Sequence, residues 1–381
     1  MKVLALGCGE MGKVAIKDLV EYGDFDEVVV GDIDLKKTED FVKKLKSEKT
    51  KVSAKFVDVT DNEKLVNLMS HFDVVLSCVG PFYKFALPVV NAAIQARVDL
   101  VDICDDYDST SKVLELDSAA KDAGITIISG LGVSPGATNI LAKAAADMLD
   151  EPEEVHIALL MGAPDLGGVA EISHRFHSMY GKVPTFQNGK FIEVRAFVDG
   201  KETVEFPKPF GKFEVFHIGH PELITIPRYM KKVKYVDTKC ALNPPSVKDV
   251  IVSLGDLGFS SEEPLDVKGA SVTPLDFAAA FVYKLSSQIK DVPKLGAMRV
   301  EVRGMKSGKK TGIIFASTGK MNEDTGIPVS IGAQMLAKGK IKDKGVFAPE
   351  GCIDPSEFIT EFMKREPEAP VEMTEYTTTL L

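Results

Sequence analysis

Three glycines in the run LGCGEMG, at Gly7, Gly9 and Gly12, have the spacing that lets a backbone grip a phosphate. Gly7 permits a tight turn out of a strand. Gly9 keeps side chains away from a pyrophosphate, and Gly12 lets the following helix lie close to the sheet. That helix begins at about Glu10, so the N–H groups around Glu10 and Met11 and the positive end of its dipole point at the phosphates. Asp32 stands about 20 residues after Gly12, where a carboxylate accepts hydrogen bonds from the adenosine ribose and repels a 2′-phosphate. Ile33 follows it at the same strand end. The expected coenzyme is therefore NAD, with NADP admitted by Lys36 and Lys37 just beyond.

Other candidates lie at later strand ends. Ligands of open parallel sheets sit beyond the carboxyl ends of the strands. This brings in Asp58 and Val59 as candidate adenine contacts, with Asp61 beyond them equally a simple helix cap. It also brings in the loop Cys78-Val79-Gly80-Pro81-Phe82, which should pass the ribose and nicotinamide. Asp102 and Asp105 belong to an acidic loop that either faces substrate or is simply solvated.

Four of six histidines fall in one window, His174, His177, His217 and His220. Imidazole is the side chain best matched to proton transfer near neutral pH. His174 and His177 share a face if EISHRFHSMYG is helical, with Tyr180 continuing it. The candidate bases are His174, His220 and Asp102, although any single histidine can equally be a satisfied structural one. No dense ligand set of the H-E-x-x-H kind is present, so no metal is expected. Arg175 and Arg228 are the guanidinium groups able to clamp a substrate carboxylate, or else surface charges. Cys8, Cys78 and Cys104 lie near strand ends, but no histidine is close in sequence, and packing is the favoured role.

These residues need a scaffold. Val3 to Leu6, Val28 to Val30, Lys55 to Val59, Asp73 to Ser77, Leu100 to Ile103 and Ile125 to Ser129 are short apolar runs, each separated from the next by a helical pattern. They predict a doubly wound parallel sheet, a Rossmann domain over 1–133. Gly130 to Gly136 interrupts the alternation. Strands then predicted over 155–161, 191–198, 233–236, 298–302 and 312–316 have few helices between them. They indicate a second, α+β domain over 134–325 with a mostly antiparallel sheet. The helix predicted over 275–287 covers one face of it. Residues 326–381 form a closing tail whose last dozen residues carry no clear signal.

A chain of 381 residues is long for one core, which agrees with two domains. A formal charge of −10 excludes attraction to nucleic acid or an anionic membrane. Five scattered cysteines point to reduced thiols in a cytoplasm. The first apolar run is too short for a signal peptide, and no run approaches a membrane span.

The stretch SCVGPFYKFALPVVNAAIQARVDLVDICDDYDST, then ISGLGVSPGATNILAKAAADML, resembles the saccharopine dehydrogenase-like family; GCGEMG and KGVFAPEG resemble it too. The resemblance implies a Rossmann domain completed by the C-terminal segment and an inserted substrate and dimerisation domain. A homodimer would form through the middle sheet. The implied chemistry is hydride transfer at a carbon–nitrogen bond of an amino acid or amino-acid-derived imine, of the saccharopine- or lysine-dehydrogenase type. By position, Gly80 to Phe82 lie by the nicotinamide and Asp102 with Asp105 at the substrate mouth; His177, Arg175 and Arg228 are candidate substrate contacts on their residue chemistry alone. Two alternatives stay open: a non-catalytic NAD sensor, and a non-redox synthase that recycles bound NAD.

Overall fold

A computed structural model describes residues 1–45, 47–165, 167–366 and 371–378. The chain divides into two compact units: Met1–Ile140 with Asn322–Glu366, and Leu141–Met321 with the segment from Pro367 onward.

The first unit alternates strand and helix: β1 (Lys2–Leu6), α1 (Glu10–Tyr22), β2 (Glu27–Asp32), α2 (Leu35–Val42), β3 (Lys51–Phe56), α3 (Asn62–Met69), β4 (Val74–Ser77), α4 (Phe82–Ala96), β5 (Asp99–Asp102), α5 (Tyr107–Leu114), α6 (Asp117–Ala123) and β6 (Thr126–Ile128). Val3 to Leu6 of β1 and Val74 to Leu76 of β4 are fully buried, as strands covered on both faces must be. Side-chain caps start α2 and α3, where Asp34 accepts from the Lys37 N–H and Asp61 from the Lys64 N–H.

Next come α7 (Ala137–Asp147) and the second unit: β7 (Glu151–Gly162), α8 (Val169–Ser178), β8 (Lys182–Gln187), β9 (Lys190–Arg195), β10 (Glu202–Phe206), β11 (Gly211–His217), α9 (Glu222–Tyr229), β12 (Tyr235–Asn243), α10 (Ser246–Asp256), β13 (Leu265–Val267), β14 (Ala270–Val272), α11 (Pro274–Ser286), β15 (Gly296–Lys306) and β16 (Lys309–Gly319). The chain then returns to the first unit through α12 (Met321–Ala337), β17 (Gly345–Phe347) and α13 (Pro355–Arg365). It closes with β18 (Glu372–Thr378).

The first sheet is parallel throughout, in the order β17-β6-β5-β4-β1-β2-β3. Successive strands run outward from β1 to one side and from β4 to the other. The topological switch point therefore lies between β1 and β4, where the crevice of a doubly wound sheet opens. The second sheet has nine strands, with β10-β11-β12-β7-β15-β16-β18 as its main path and β8 and β9 attached to β12. Its β12–β7 pairing is parallel and the others are antiparallel.

Several sequence expectations shift. The third strand runs Lys51–Phe56, so Val57 to Val59 belong to the loop beyond it. The helical pattern between β5 and β6 resolves into two helices, broken at Glu115 and Leu116. α8 ends at Ser178, which leaves Tyr180 outside it. The two compact units divide at 140 and 322, and the tail's run EMTEYTT is β18, antiparallel to β16 in the second sheet. Pro367 and Pro370 of the expected tail lie outside the described residues.

Two buried carboxylates tie the late elements in place. Asp18 of α1 accepts from Ser330 Oγ and Gln334 Nε2 of α12 and from Arg365 Nε of α13 at 2.5, 3.2 and 2.8 Å. Burial pushes the Asp18 carboxyl up, against the pull of Ser330 and Arg365. In the second sheet, Glu301 of β15 accepts from Arg299 Nη1 at 2.7 Å, Arg303 Nε at 2.8 Å and the Tyr376 hydroxyl of β18.

Candidate active site

The turn between β1 and α1 is built for close approach. Gly7 has φ +90°, and a Cβ there would stand 2.7 Å from the Cys78 carbonyl oxygen. At Gly12 a Cβ would meet the Gly7 oxygen at 2.0 Å, so glycine alone fits either place. Gly9 differs. Its φ is −72° and a Cβ would find nothing within 4 Å. Neither conformation nor packing demands glycine there, and a side chain would occupy the space a phosphate requires. Gly9 is also the N-cap of α1 and supplies no side-chain acceptor to the first-turn N–H groups. These features fit a dinucleotide pyrophosphate.

Asp32 is drawn into the same turn. Its carboxylate accepts from Cys8 N at 2.6 Å and Asp34 N at 2.9 Å, linking the glycine turn to the end of β2. A carboxylate has about four lone-pair sites, so acceptor capacity remains for ribose hydroxyls. Ile33 beside it is two-thirds exposed, an apolar platform of the kind an adenine covers. Lys13, Lys17, Lys36 and Lys37 line a neighbouring groove with Asp34.

The other predicted contacts also follow carboxyl ends of strands. Asp58 accepts from Thr60 N and Thr60 Oγ1 at 2.9 and 2.6 Å, so it shapes its own turn, and Val59 is buried beside it. Cys78, Val79 and Gly80 form the loop after β4. Pro81 is the N-cap of α4, and Phe82 is its buried first residue. The N-terminus of α4 is capped from a distance: Asp106 Oδ2 accepts from Tyr83 N at 2.7 Å. Burial pushes the Cys78 thiol up to about 12 and raises Cys8 and Cys104 as well, so these thiols stay protonated and act as packing groups.

Asp102, at the end of β5, is buried and engaged. Its Oδ1 accepts from Cys104 N and Gly130 N at 2.9 Å and from Ser129 Oγ at 3.1 Å. Burial raises its pKa, and those three donors oppose the shift. The carboxylate pins the loops after β5 and β6 together. Asp105, in the same loop, is half-buried.

In the second unit, α8 buries His174 and Arg175, leaves His177 half-buried, and ends at the Ser178 hydroxyl bonded back to the His174 carbonyl at 3.0 Å. His220, just before α9, lies edge-on to His174 with ring centroids 5.9 Å apart. His220 Nδ1 meets Glu222 Oε2 at 2.5 Å, and Glu222 is fully buried. The carboxylate fixes the tautomer with the proton on Nδ1 and leaves Nε2 as the acceptor. Arg175 is fully buried too. Its Nε donates to Glu171 Oε1 at 2.5 Å, while Nη1 and Nη2 have no acceptor among the described residues. Arg228 is exposed on α9, outside this cluster.

The sequence reading missed Glu171, Glu222 and Asp106. Glu171 and Arg175 have the i, i+4 spacing of a helical ion pair, and His220 and Glu222 are two apart, so spacing offered both pairs. Only the fold reveals that both are buried.

Comparison with known proteins agrees with this geometry. The family described as saccharopine dehydrogenase NADP binding domain matches residues 3–128, and that described as saccharopine dehydrogenase C-terminal domain matches 132–366. Carboxynorspermidine synthase of Vibrio cholerae is 23% identical, with 94% of each chain aligned. Carboxyaminopropylagmatine dehydrogenase of Synechocystis is 21% identical, again over 94% of each. The L-glutamate-forming saccharopine dehydrogenase from Saccharomyces cerevisiae shares the fold, with a TM-score of 0.68 at 17% identity over 99% of this chain and 100% of that one. With a glycine turn at the end of β1 and family matches across nearly its whole length, the chain belongs to the saccharopine dehydrogenase family of NAD(P)-dependent oxidoreductases.

Proposed function

We propose that this protein transfers hydride at the carbon–nitrogen bond of a small, carboxylate-bearing amine or its imine, such as lysine or a carboxyalkylated polyamine, and works as a cytoplasmic homodimer. The observation that carries the substrate class is Arg175. A fully buried guanidinium with two nitrogens that meet no acceptor among the described residues is unfavourable by several kcal/mol unless an anion completes it. A substrate carboxylate matches that fork in a bidentate manner. The names of the Vibrio and Synechocystis relatives both describe carboxylated polyamine-type compounds, which supports the reading.

When bound, the nicotinamide supplies the hydride donor or acceptor. Gly7, Gly9 and Gly12 admit the pyrophosphate, and Asp32 receives the ribose hydroxyls, which favours NAD over NADP. The imidazole Nε2 of His220 takes or returns the amine proton, with Glu222 stabilising the imidazolium that results. His174 packs against that ring and holds its orientation. Asp102 serves as a positioning residue. Asp105 and His177 complete the polar lining on their own units.

The test follows NADH absorbance with a panel of carboxylated amines and of oxo-acid plus amine pairs, comparing the native protein with Arg175→Met. The expected result is turnover by the native protein and a KM raised about a hundredfold by the substitution, with coenzyme affinity retained. Equal KM values would remove the carboxylate role, and tight coenzyme binding without turnover would leave a sensor.

A further inference from the structure

Arg175 is not the only buried group of α8 that lacks a partner. Glu171, one helical turn before it, is 9% exposed. Its Oε1 accepts from Arg175 Nε, and its Oε2 is buried with no donor among the described residues. Glu171, His174, Arg175 and Ser178 follow the i, i+3, i+4, i+7 spacing of a single helix face, and all four are buried.

The segment just before α9 ties this helix to β12. Gly219 N donates to the Ser178 carbonyl at 2.8 Å, and Ile218 N donates to the Thr238 carbonyl at 3.1 Å. Thr238 and Cys240 share one side of β12, and both are fully buried. Burial pushes the Cys240 thiol up to about 12, and the Arg175 and Glu171 charges both act on it, which sets that ion pair beside this side of the strand. The Thr238 hydroxyl has no hydrogen-bond partner among the described residues. Arg175 Nη1 and Nη2, Glu171 Oε2 and Thr238 Oγ1 are therefore gathered at α8 and β12 with hydrogen-bonding capacity unused.

These atoms differ in kind. The two nitrogens are donors on a cation, Oε2 is an acceptor on an anion, and a hydroxyl can serve either way. Charge balance decides what fits them. The Arg175–Glu171 pair is neutral as a unit. A ligand with a carboxylate alone leaves a net negative charge in a buried site, which is strongly disfavoured. A ligand with an ammonium beside its carboxylate keeps the balance at zero. An α-amino acid holds those two charges one carbon apart, matching a guanidinium and a carboxylate that already share a hydrogen bond.

We propose that Glu171 is a specificity-determining residue, whose Oε2 receives the ammonium of an α-amino-acid head group while Arg175 clamps the carboxylate beside it and the Thr238 hydroxyl accepts a second ammonium hydrogen. This rests on the carboxylate role of Arg175 and adds a demand for the neighbouring positive charge.

Isothermal titration of the full chain, saturated with NAD, tests it with three probes. L-Lysine carries the whole head group, 6-aminohexanoate is the same molecule without the α-ammonium, and 1,5-diaminopentane lacks the carboxylate. The native chain should bind L-lysine about a hundredfold more tightly than either truncated probe. Glu171→Gln keeps the shape of the side chain and an oxygen for Arg175 Nε, but sets an amide nitrogen where the second oxygen was. It should bring L-lysine and 6-aminohexanoate to within about threefold of each other, with NAD affinity and the circular dichroism spectrum unchanged. A merely structural ion pair would not move that ratio. Thr238→Val alters no charge and repeats the test at the neighbouring atom. It should weaken L-lysine about tenfold and leave 6-aminohexanoate unaffected. Equal affinity of the native chain for L-lysine and 6-aminohexanoate would overturn the ammonium role and leave the carboxylate role standing. Binding of 1,5-diaminopentane as tight as that of L-lysine, or no binding of either carboxylate, would overturn both. Variants that keep the native preference for L-lysine would return Glu171 and Thr238 to packing.

Discussion

At position 9 the backbone sits at φ −72° and faces open space, so a valine there meets no protein atom. Gly9→Val should fold, losing only the ~1 kcal/mol of a poorer N-cap, while coenzyme affinity falls about a hundredfold or more. Gly12→Ala should behave in the opposite way, because its Cβ would stand 2.0 Å from the Gly7 oxygen and the turn must open. Thermal melts beside a coenzyme titration separate the two, and a Gly9→Val protein that binds as before would refute the phosphate role. Asp102 is open to a similar separation. Asparagine keeps an acceptor for Cys104 N and Gly130 N but cannot serve as a base. Asp102→Asn should therefore retain kcat within about threefold, whereas a thousandfold fall would return proton transfer to Asp102. The glycine turn and the place of Asp32 at the end of β2 were legible in the sequence because their geometry is local in the chain. The state of Arg175 was not, since its burial and its unmatched nitrogens depend on segments folded over α8 from far away.

At the scale of elements, the strand pair β15–β16 carries a measurable pH dependence. Burial works to raise the Glu301 carboxyl, but the Arg303 hydrogen bond, the Tyr376 hydroxyl and the Arg299 charge outweigh it and hold the group at about 2. The folded pKa lies below the ordinary glutamate value of 4.5, so the stabilisation is fully present above that value and is lost as pH falls towards about 2. The stability difference between the native chain and Glu301→Gln should therefore shrink by up to ~3 kcal/mol between about pH 5 and 2. Urea midpoints across that range check it, and a constant difference would contradict the assignment. The strand β18 that supplies Tyr376 was invisible to the sequence reading for a physical reason. An edge strand paired on one side buries little, so its sequence needs no apolar alternation. The buried strands β1 and β4 show the reverse, and their apolar runs located them within a residue or two.

For the molecule as a whole, length and periodicity announced two domains, but not that the last helix and the last strand belong to different units. That division predicts two kinds of truncation. Ending the chain after Glu366 removes β18 and its Tyr376 but leaves Arg365 on Asp18, so coenzyme binding should survive while the second unit melts earlier. Ending it before α13 strips Arg365 from the buried Asp18 carboxylate, a loss of about 3–5 kcal/mol. Coenzyme affinity should then fall with the stability of the first unit. Equal affinity for the two truncations, read by titration, would refute the coupling. The Asp18–Arg365 pair spans 347 residues, and on a ribosome adding about 5–20 residues per second that span takes tens of seconds to synthesise. Throughout that interval the nascent chain carries its glycine turn on a helix whose carboxylate lacks its cation, and β6 waits for β17 to cover its edge. The first unit is thus begun before the second and completed only after most of it, and a nascent chain should require chaperone shelter until α13 has emerged.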